Sequence, residues 1–201
     1  MQTIEYFYSA HSAFAYLGSR MLMDIATTAG RAISHRPIDL NAVVEACGST
    51  PFSQRTPGYR AYFFEREIQR WSEERDAPVC GYPRYHHHDT TLANSMLVAG
   101  VLDSMSVDAL AHAFLQAHWR DDADLADLKT LTRLAEQSGY DGGRLSDMAK
   151  TDAVRAAYQA NTAEAIRRSV FGSPTYFVDG DMFYGQDRLE LVRRALSRPY
   201  R

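Results

Sequence analysis

Residues 173–184, SPTYFVDGDMFY, restrict the fold more than any other stretch of this chain. Asp179-Gly180 sits between TYFV and DMFY, two short runs rich in aromatic and β-branched residues. A two-residue Asp-Gly loop tolerates positive φ at both positions, which suits the twist of an antiparallel hairpin. The following QDRLELVRRALSR has helical spacing, so the chain closes as β-β-α. Its beginning reads as β-α-β. QTIEYFY is a strand, and Phe14, Leu17, Met21 and Ile25 recur at helical spacing from Ser12 to about Ala29, with Leu22 beside them. Gly30 is a stop signal. AISHRPIDL is a second short strand, in which Pro37 marks an edge or an ending.

Between these ends the period changes. The loop CGSTPFSQRTPG leads into a charged amphipathic helix, YRAYFFEREIQRWSEER. DAPVCGYPRYHHHD is irregular, with prolines and glycines between its apolar residues. From Thr90 to about Arg168 the apolar spacing is helical almost throughout, with Gly139, Gly142 and Gly143 separating two helices. The expected fold is α/β: two halves of one small sheet split by an all-helical insertion. The corresponding boundaries are 1–75 and 165–201 for the discontinuous sheet domain and 76–164 for the insertion, which forms a lid and a cleft over one end of the sheet.

The 201 residues allow a sizeable core, and 45% hydrophobic with 23% charged residues is ordinary for a globular protein. A net charge of −3 supplies no global attraction to nucleic acid or to a membrane surface. The N-terminus lacks the basic and apolar regions of a signal peptide, and no window has the ~18 apolar residues of a membrane span. The expected compartment is cytoplasmic. Cys47 and Cys80 form no C-x-x-C and read as free thiols there.

Ser12 stands where the first strand gives way to the first helix. It has two readings. One is an ordinary N-cap. The other is a functional hydroxyl at a helix terminus that favours anions, a thiolate among them. Pro174 at the head of a strand also has two readings, as a trans-proline that starts the strand or as part of a cis Ser173–Pro174 bond.

HSAFAYLGS, residues 11–19, and NTAEAIRRSVFGSPTYFVDGDMFYGQDRLELV, residues 161–192, together resemble the kappa-class glutathione transferase and 2-hydroxychromene-2-carboxylate isomerase family. Its fold is a thioredoxin-like sheet of the DsbA type with an all-helical insertion. Where redox relatives carry C-x-x-C, this chain has Ser12-Ala13-Phe14-Ala15, which cannot run a dithiol cycle. The resemblance implies glutathione as the source of sulfur. It implies that Ser12 donates to that sulfur and that Ser173, before Pro174, pairs its backbone with the cysteinyl part. Gln186 and Asp187 would hold the γ-glutamyl ammonium. Ser49 or Thr50 would take the place of the family's asparagine, and Arg60 that of its lysine near Tyr59. The implied function is a glutathione-dependent isomerase of an aromatic-degradation intermediate, working as a homodimer on a small molecule. The alternatives are a kappa-like transferase or peroxidase, and a non-catalytic thioredoxin-fold binding protein.

His11, beside Ser12, is a candidate substrate-side acid or base, or else a turn residue. The run from His86 to Asp89 lacks the spacing of a zinc site, so no metal is expected, and the resemblance implies that it lines the cleft near the family's substrate pocket.

Overall fold

The computed structural model describes residues 2–201. Strand β1 (Thr3–Tyr8) leads to helix α1 (Ala13–Thr28) and strand β2 (Ala32–Pro37). At the other end β3 (Thr175–Val178) and β4 (Asp181–Tyr184) form the hairpin, with Asp179 and Gly180 at φ of 50° and 96°. These segments make one four-stranded sheet in the order β2-β1-β3-β4. β1 runs parallel to β2 and antiparallel to β3. β2 is an edge strand and ends at Pro37, opposite Tyr8, which a residue without an N–H permits.

Alternation along β1 sends its side chains to two cores. Ile4, Tyr6 and Tyr8 join Tyr176 and Val178 of β3 on one face, under α1 and much of the helical block. Phe7 points to the other face with Phe177, Ile38, Val43 and Ala165. Tyr6, Tyr8 and Tyr176 stack across the sheet, with ring centroids 4.0 and 5.4 Å from the Tyr6 ring. Burying the apolar surface of each ring contributes roughly 1.5–3 kcal/mol, offset at Tyr6 and Tyr176 by buried hydroxyls without a partner among the described residues, each costing about 1–3 kcal/mol.

The segment before the helical block contains three α-helices: α2 (Leu40–Ala46), α3 (Pro57–Arg60) and α4 (Glu67–Glu74). Wider π turns over Ala61–Arg66 join α3 to α4, so 57–74 is one continuous rod. The block itself is α5 (Thr91–Leu102), α6 (Asp108–Trp119), α7 (Leu128–Gln137), α8 (Gly142–Ala149) and α9 (Asp152–Arg167). Leu97, Leu110, Phe114 and Trp119 of this block share one buried cluster with Tyr6, Tyr8 and Tyr176 of the sheet. A 3-10 turn, Gln186–Arg188, precedes the last helix, α10 (Leu189–Ser197).

Two helices differ from the sequence expectation. α2 forms where a strand was expected to run on into a loop. Asp39 caps it by accepting from the N–H groups of Asn41 and Ala42, and Val43 and Val44 are buried. α8 begins at Gly142-Gly143, expected as a separator. A Cβ on Gly142 would lie 2.4 Å from the Thr132 carbonyl oxygen, so close packing against α7 requires glycine there. No helix among the described residues is long and apolar enough to cross a membrane.

Candidate active site

The N-terminus of α1 meets the turn before β3. Ser12 is 7% exposed and is the N-cap of α1, accepting from the Ala15 N–H at 3.3 Å. Its own hydroxyl hydrogen goes to the Ser173 carbonyl at 3.2 Å. The two readings of Ser12 are thus compatible, because the lone pair caps the helix while the hydrogen faces the turn. The Ser173–Pro174 bond is cis. Ser173 Oγ accepts from the Ser9 N–H at 3.2 Å, which pins the turn to the end of β1. Residues 12–15 carry no thiol, and Cys47 and Cys80 are both exposed at other positions. Burial pushes the Cys80 thiol up.

His11 continues the junction toward the helical block. The Trp119 indole N–H donates to the His11 carbonyl at 2.8 Å. Ser9 Oγ lies 2.9 Å from His11 Nδ1. Buried Asn94 of α5 fixes this end, since its Oδ1 accepts from the Ala10 N–H at 2.9 Å and its Nδ2 donates to Ser9 Oγ and to the Tyr158 hydroxyl. The rings of His11 and His86 lie 5.2 Å apart. His86 Nδ1 is 3.0 Å from His118 Nε2, and His118 Nδ1 is 3.0 Å from the Ala123 carbonyl. Burial, reinforced by the neighbouring imidazoles, pulls His11 down to about 4 and His86 to about 3, so both are neutral at pH 7. Burial also lowers His118. Among the described residues no group of three or more His, Cys, Asp or Glu side chains is arranged to hold a metal.

The remaining predicted residues fall in two places. Ser49 and Thr50 lie on the loop after α2, where Ser49 Oγ accepts from the Cys47 thiol and the Thr50 carbonyl accepts from Arg55 Nε. Arg60 is turned onto its own loop, donating to the carbonyls of Phe52, Ser53 and Arg55. Its charge and that of Arg55 have no carboxylate partner among the described residues. Arg55 stands 4.2 Å over the Phe52 ring and donates to the Tyr59 hydroxyl. Burial, followed by the charge of Tyr59, sets the Tyr184 hydroxyl of β4 high, while Arg55 opposes that shift.

Gln186 and Asp187 occupy the turn before α10. Gln186 is 1% exposed and faces inward, its Oε1 accepting from Arg75 Nε at 3.0 Å. Its Nε2 is sealed from solvent and has no hydrogen-bond partner among the described residues. Close packing explains this orientation, since a Cβ on Gly18 of α1 would lie 2.7 Å from Gln186 Cβ. Asp187 remains partly exposed and pairs with Arg188.

Sequence reading missed Asn94, His118, Arg55 and Arg75. Only Arg55 offered a signal, as a second cation within the Gly- and Pro-rich loop. Two clefts lie elsewhere. One of about 780 Å³ is bordered by Arg84, Arg120 and Arg133, and one of about 330 Å³ by Arg20, Arg75 and His112.

Comparison with known proteins sets this geometry in context. The 2-hydroxychromene-2-carboxylate isomerase of Pseudomonas sp. (strain C18) is 28% identical over 195 residues, covering 96% of this chain and 90% of the relative. The enzyme of the same name from Sphingobium xenophagum is 28% identical over 195 residues, covering 97% and 98%. A solved structure of a selenomethionine-labelled 2-hydroxychromene-2-carboxylate isomerase is 25% identical with a TM-score of 0.79, covering 98% of this chain and 95% of that one. The DSBA-like thioredoxin domain matches residues 3–197, from the first strand to the last helix. A thioredoxin-type sheet carrying a helical insertion is thus matched in sequence and in structure, and the chain belongs to the DSBA-like thioredoxin domain family.

Proposed function

We propose that this protein is a glutathione-dependent isomerase of an aromatic-degradation intermediate such as 2-hydroxychromene-2-carboxylate. The observation that carries the reading is a serine hydroxyl, with no thiol beside it, at the junction of α1 and the Ser173–Pro174 turn. The names of the relatives support the isomerase class.

The donor set fits an incoming thiolate. Ser12 has a hydrogen to give, and the N–H groups of Ala13 and Phe14 take no protein partner among the described residues. Aligned dipoles of the sixteen-residue helix add partial positive charge at this end. Bound there, glutathione would supply a thiolate nucleophile for covalent catalysis. Ser12 would hold it in the charged form by turning its hydroxyl from the Ser173 carbonyl to the sulfur. The freed Ser173 carbonyl would then accept a backbone N–H of the ligand, as in an added strand. Arg55 and Arg60 are the cations available to a carboxylate near Ser49 and Thr50, and Asp187 is the anion available to an ammonium. Aromatic residues stand beside the first turn of α1: Phe14 meets Phe63 edge-on at 5.2 Å, and Phe63 meets Tyr59 at 5.3 Å. They suit a flat apolar substrate.

Titrating the glutathione complex by its ultraviolet thiolate absorbance tests the proposal. Ser12→Ala should raise the apparent pKa of the bound thiol by about one unit, the effect of one lost charge-assisted hydrogen bond. An identical titration curve in the variant removes Ser12 from this role. Turnover of 2-hydroxychromene-2-carboxylate should leave total glutathione unchanged, whereas thiol consumption would point to a transferase.

A further inference from the structure

Two hydrogen-bond chains end on the neighbouring rings of His11, next to Ser12, and His86, and they run in opposite senses. In the first, the Ala10 N–H donates to Asn94 Oδ1, so Asn94 Nδ2 must be the group that donates to Ser9 Oγ. The Ser9 hydroxyl hydrogen then has His11 Nδ1 as its acceptor. This leaves the His11 hydrogen on Nε2. In the second, the Ala123 carbonyl can only accept, so His118 carries its hydrogen on Nδ1 and presents a lone pair at Nε2. His86 must donate from Nδ1 to that lone pair, and its own Nε2 is left as an acceptor. Neither His11 Nε2 nor His86 Nε2 takes a protein partner among the described residues, and neither is among the polar atoms sealed from solvent.

We infer that His11 and His86 form a tautomer-locked pair, one donor beside one acceptor, which reads a substrate carrying a hydroxyl next to a carbonyl or carboxylate oxygen. His11 Nε2–H donates to the oxygen, and His86 Nε2 accepts from the hydroxyl. Ring centroids 5.2 Å apart place the two imidazoles side by side, so one small head group can reach both. The pair rests on the proposed function for its place beside the reacting centre, and it deepens that reading by assigning the residues that hold the substrate's hydroxyl and carboxylate. Ser9, Asn94 and His118 are positioning residues, since they set the tautomers through the rings. Both rings stay neutral well below pH 7 in surroundings that include His87, His118, Tyr82 and Trp119, with Asp122 and Asp124 facing His118. Recognition should therefore persist unchanged from pH 8 to about pH 5.

The test uses the whole protein and needs neither glutathione nor turnover. Long-range ¹H–¹⁵N correlation spectra should show His11 protonated at Nε2 and His86 at Nδ1. Mandelate, an aromatic 2-hydroxy acid, should bind about ten-fold more tightly than phenylacetate, which lacks the hydroxyl. His86→Phe should bring that ratio to about one, and His86→Gln, which restores an acceptor, should recover most of it. Ser9→Ala should let the His11 tautomers mix without changing His86. Reversed tautomers overturn the pairing, as does equal or absent binding of the two acids to the parent protein. Glutathione is titrated in parallel on the same samples. Its failure to bind would sink the proposed function and leave the mandelate ratio to decide the pair on its own.

Discussion

Two of the histidine networks in the molecule are built on different terms. His35 of β2 is buried between the Tyr8 hydroxyl, 2.9 Å from Nδ1, and the Asp108 carboxylate, 2.7 Å from Nε2. Ser106 completes that carboxylate's partners. Burial alone would push the Asp108 carboxyl up, but the hydrogen bonds from His35 and Ser106, with the attraction of His35, leave it below its ordinary value. The His11, His86 and His118 network has no carboxylate in hydrogen-bond contact, and its members bond to a hydroxyl, to each other and to a carbonyl. A carboxylate ties His35 into the joint between sheet and helical block, with both ring nitrogens occupied. The second network leaves two nitrogens open beside the Ser12 junction. Completeness of the hydrogen-bond set therefore separates a structural histidine from one able to meet a ligand.

The strongest way to break this contrast is Trp119→Ala. Trp119 is 2% exposed, donates to the His11 carbonyl, and packs edge-on to His86 at 5.2 Å. Its loss should cost about 3–5 kcal/mol in urea unfolding. A cost below 1 kcal/mol would show that the open network does not lean on this ring. Asp108→Ala should follow at about 1–3 kcal/mol, because it strands a buried imidazole nitrogen. The spectra of His11 and His86 should not move in that variant, and any movement would merge the two networks into one.

Acid separates them next. His11 at about 4, His86 at about 3 and His112 at about 4 lie below the ordinary histidine value near 6.5. Between these limits the unfolded chain binds more protons than the folded one. Stability contributed by the neutral rings is complete above about pH 6.5 and is lost as pH falls toward 4. The loss should be about 1–2 kcal/mol per histidine by pH 5, read from urea midpoints. The lowered Asp108 carboxyl has the same sign but acts only below the ordinary aspartate range. A flat stability profile between pH 7 and 5 would refute the neutral assignment.

Much of the scaffold was legible because its signals are short in range. The Asp179-Gly180 loop, the spacing of Phe14, Leu17, Met21 and Ile25, and Pro37 at the end of an edge strand each act on near neighbours. The cap at Ser12 was legible for the same reason. α2 escaped because seven residues show too little periodicity to outweigh the strand-like residues before them. α8 escaped because Gly142-Gly143 has the composition of a breaker, and only the approach of α7 explains the glycine. At the site, Arg60 was legible as a cation, but not that three carbonyls of its own loop would hold it. Gln186 was legible as a polar residue at a helix start, but not that Arg75 would draw it inward across 111 positions.

By itself the sequence determined the alternation of strand and helix, the hairpin, the capped start of α1 and the lack of a thiol there. These follow from backbone preferences and side chains within a few positions of one another. Tertiary structure alone decided which nitrogen of His11 and of His86 carries its hydrogen, and which of the predicted polar groups face outward. Asn94 reaches Ser9 across 85 positions, and His118 reaches His86 across 32. A tautomer is set by the partner on the far side of the ring, and here folding alone brings that partner into place.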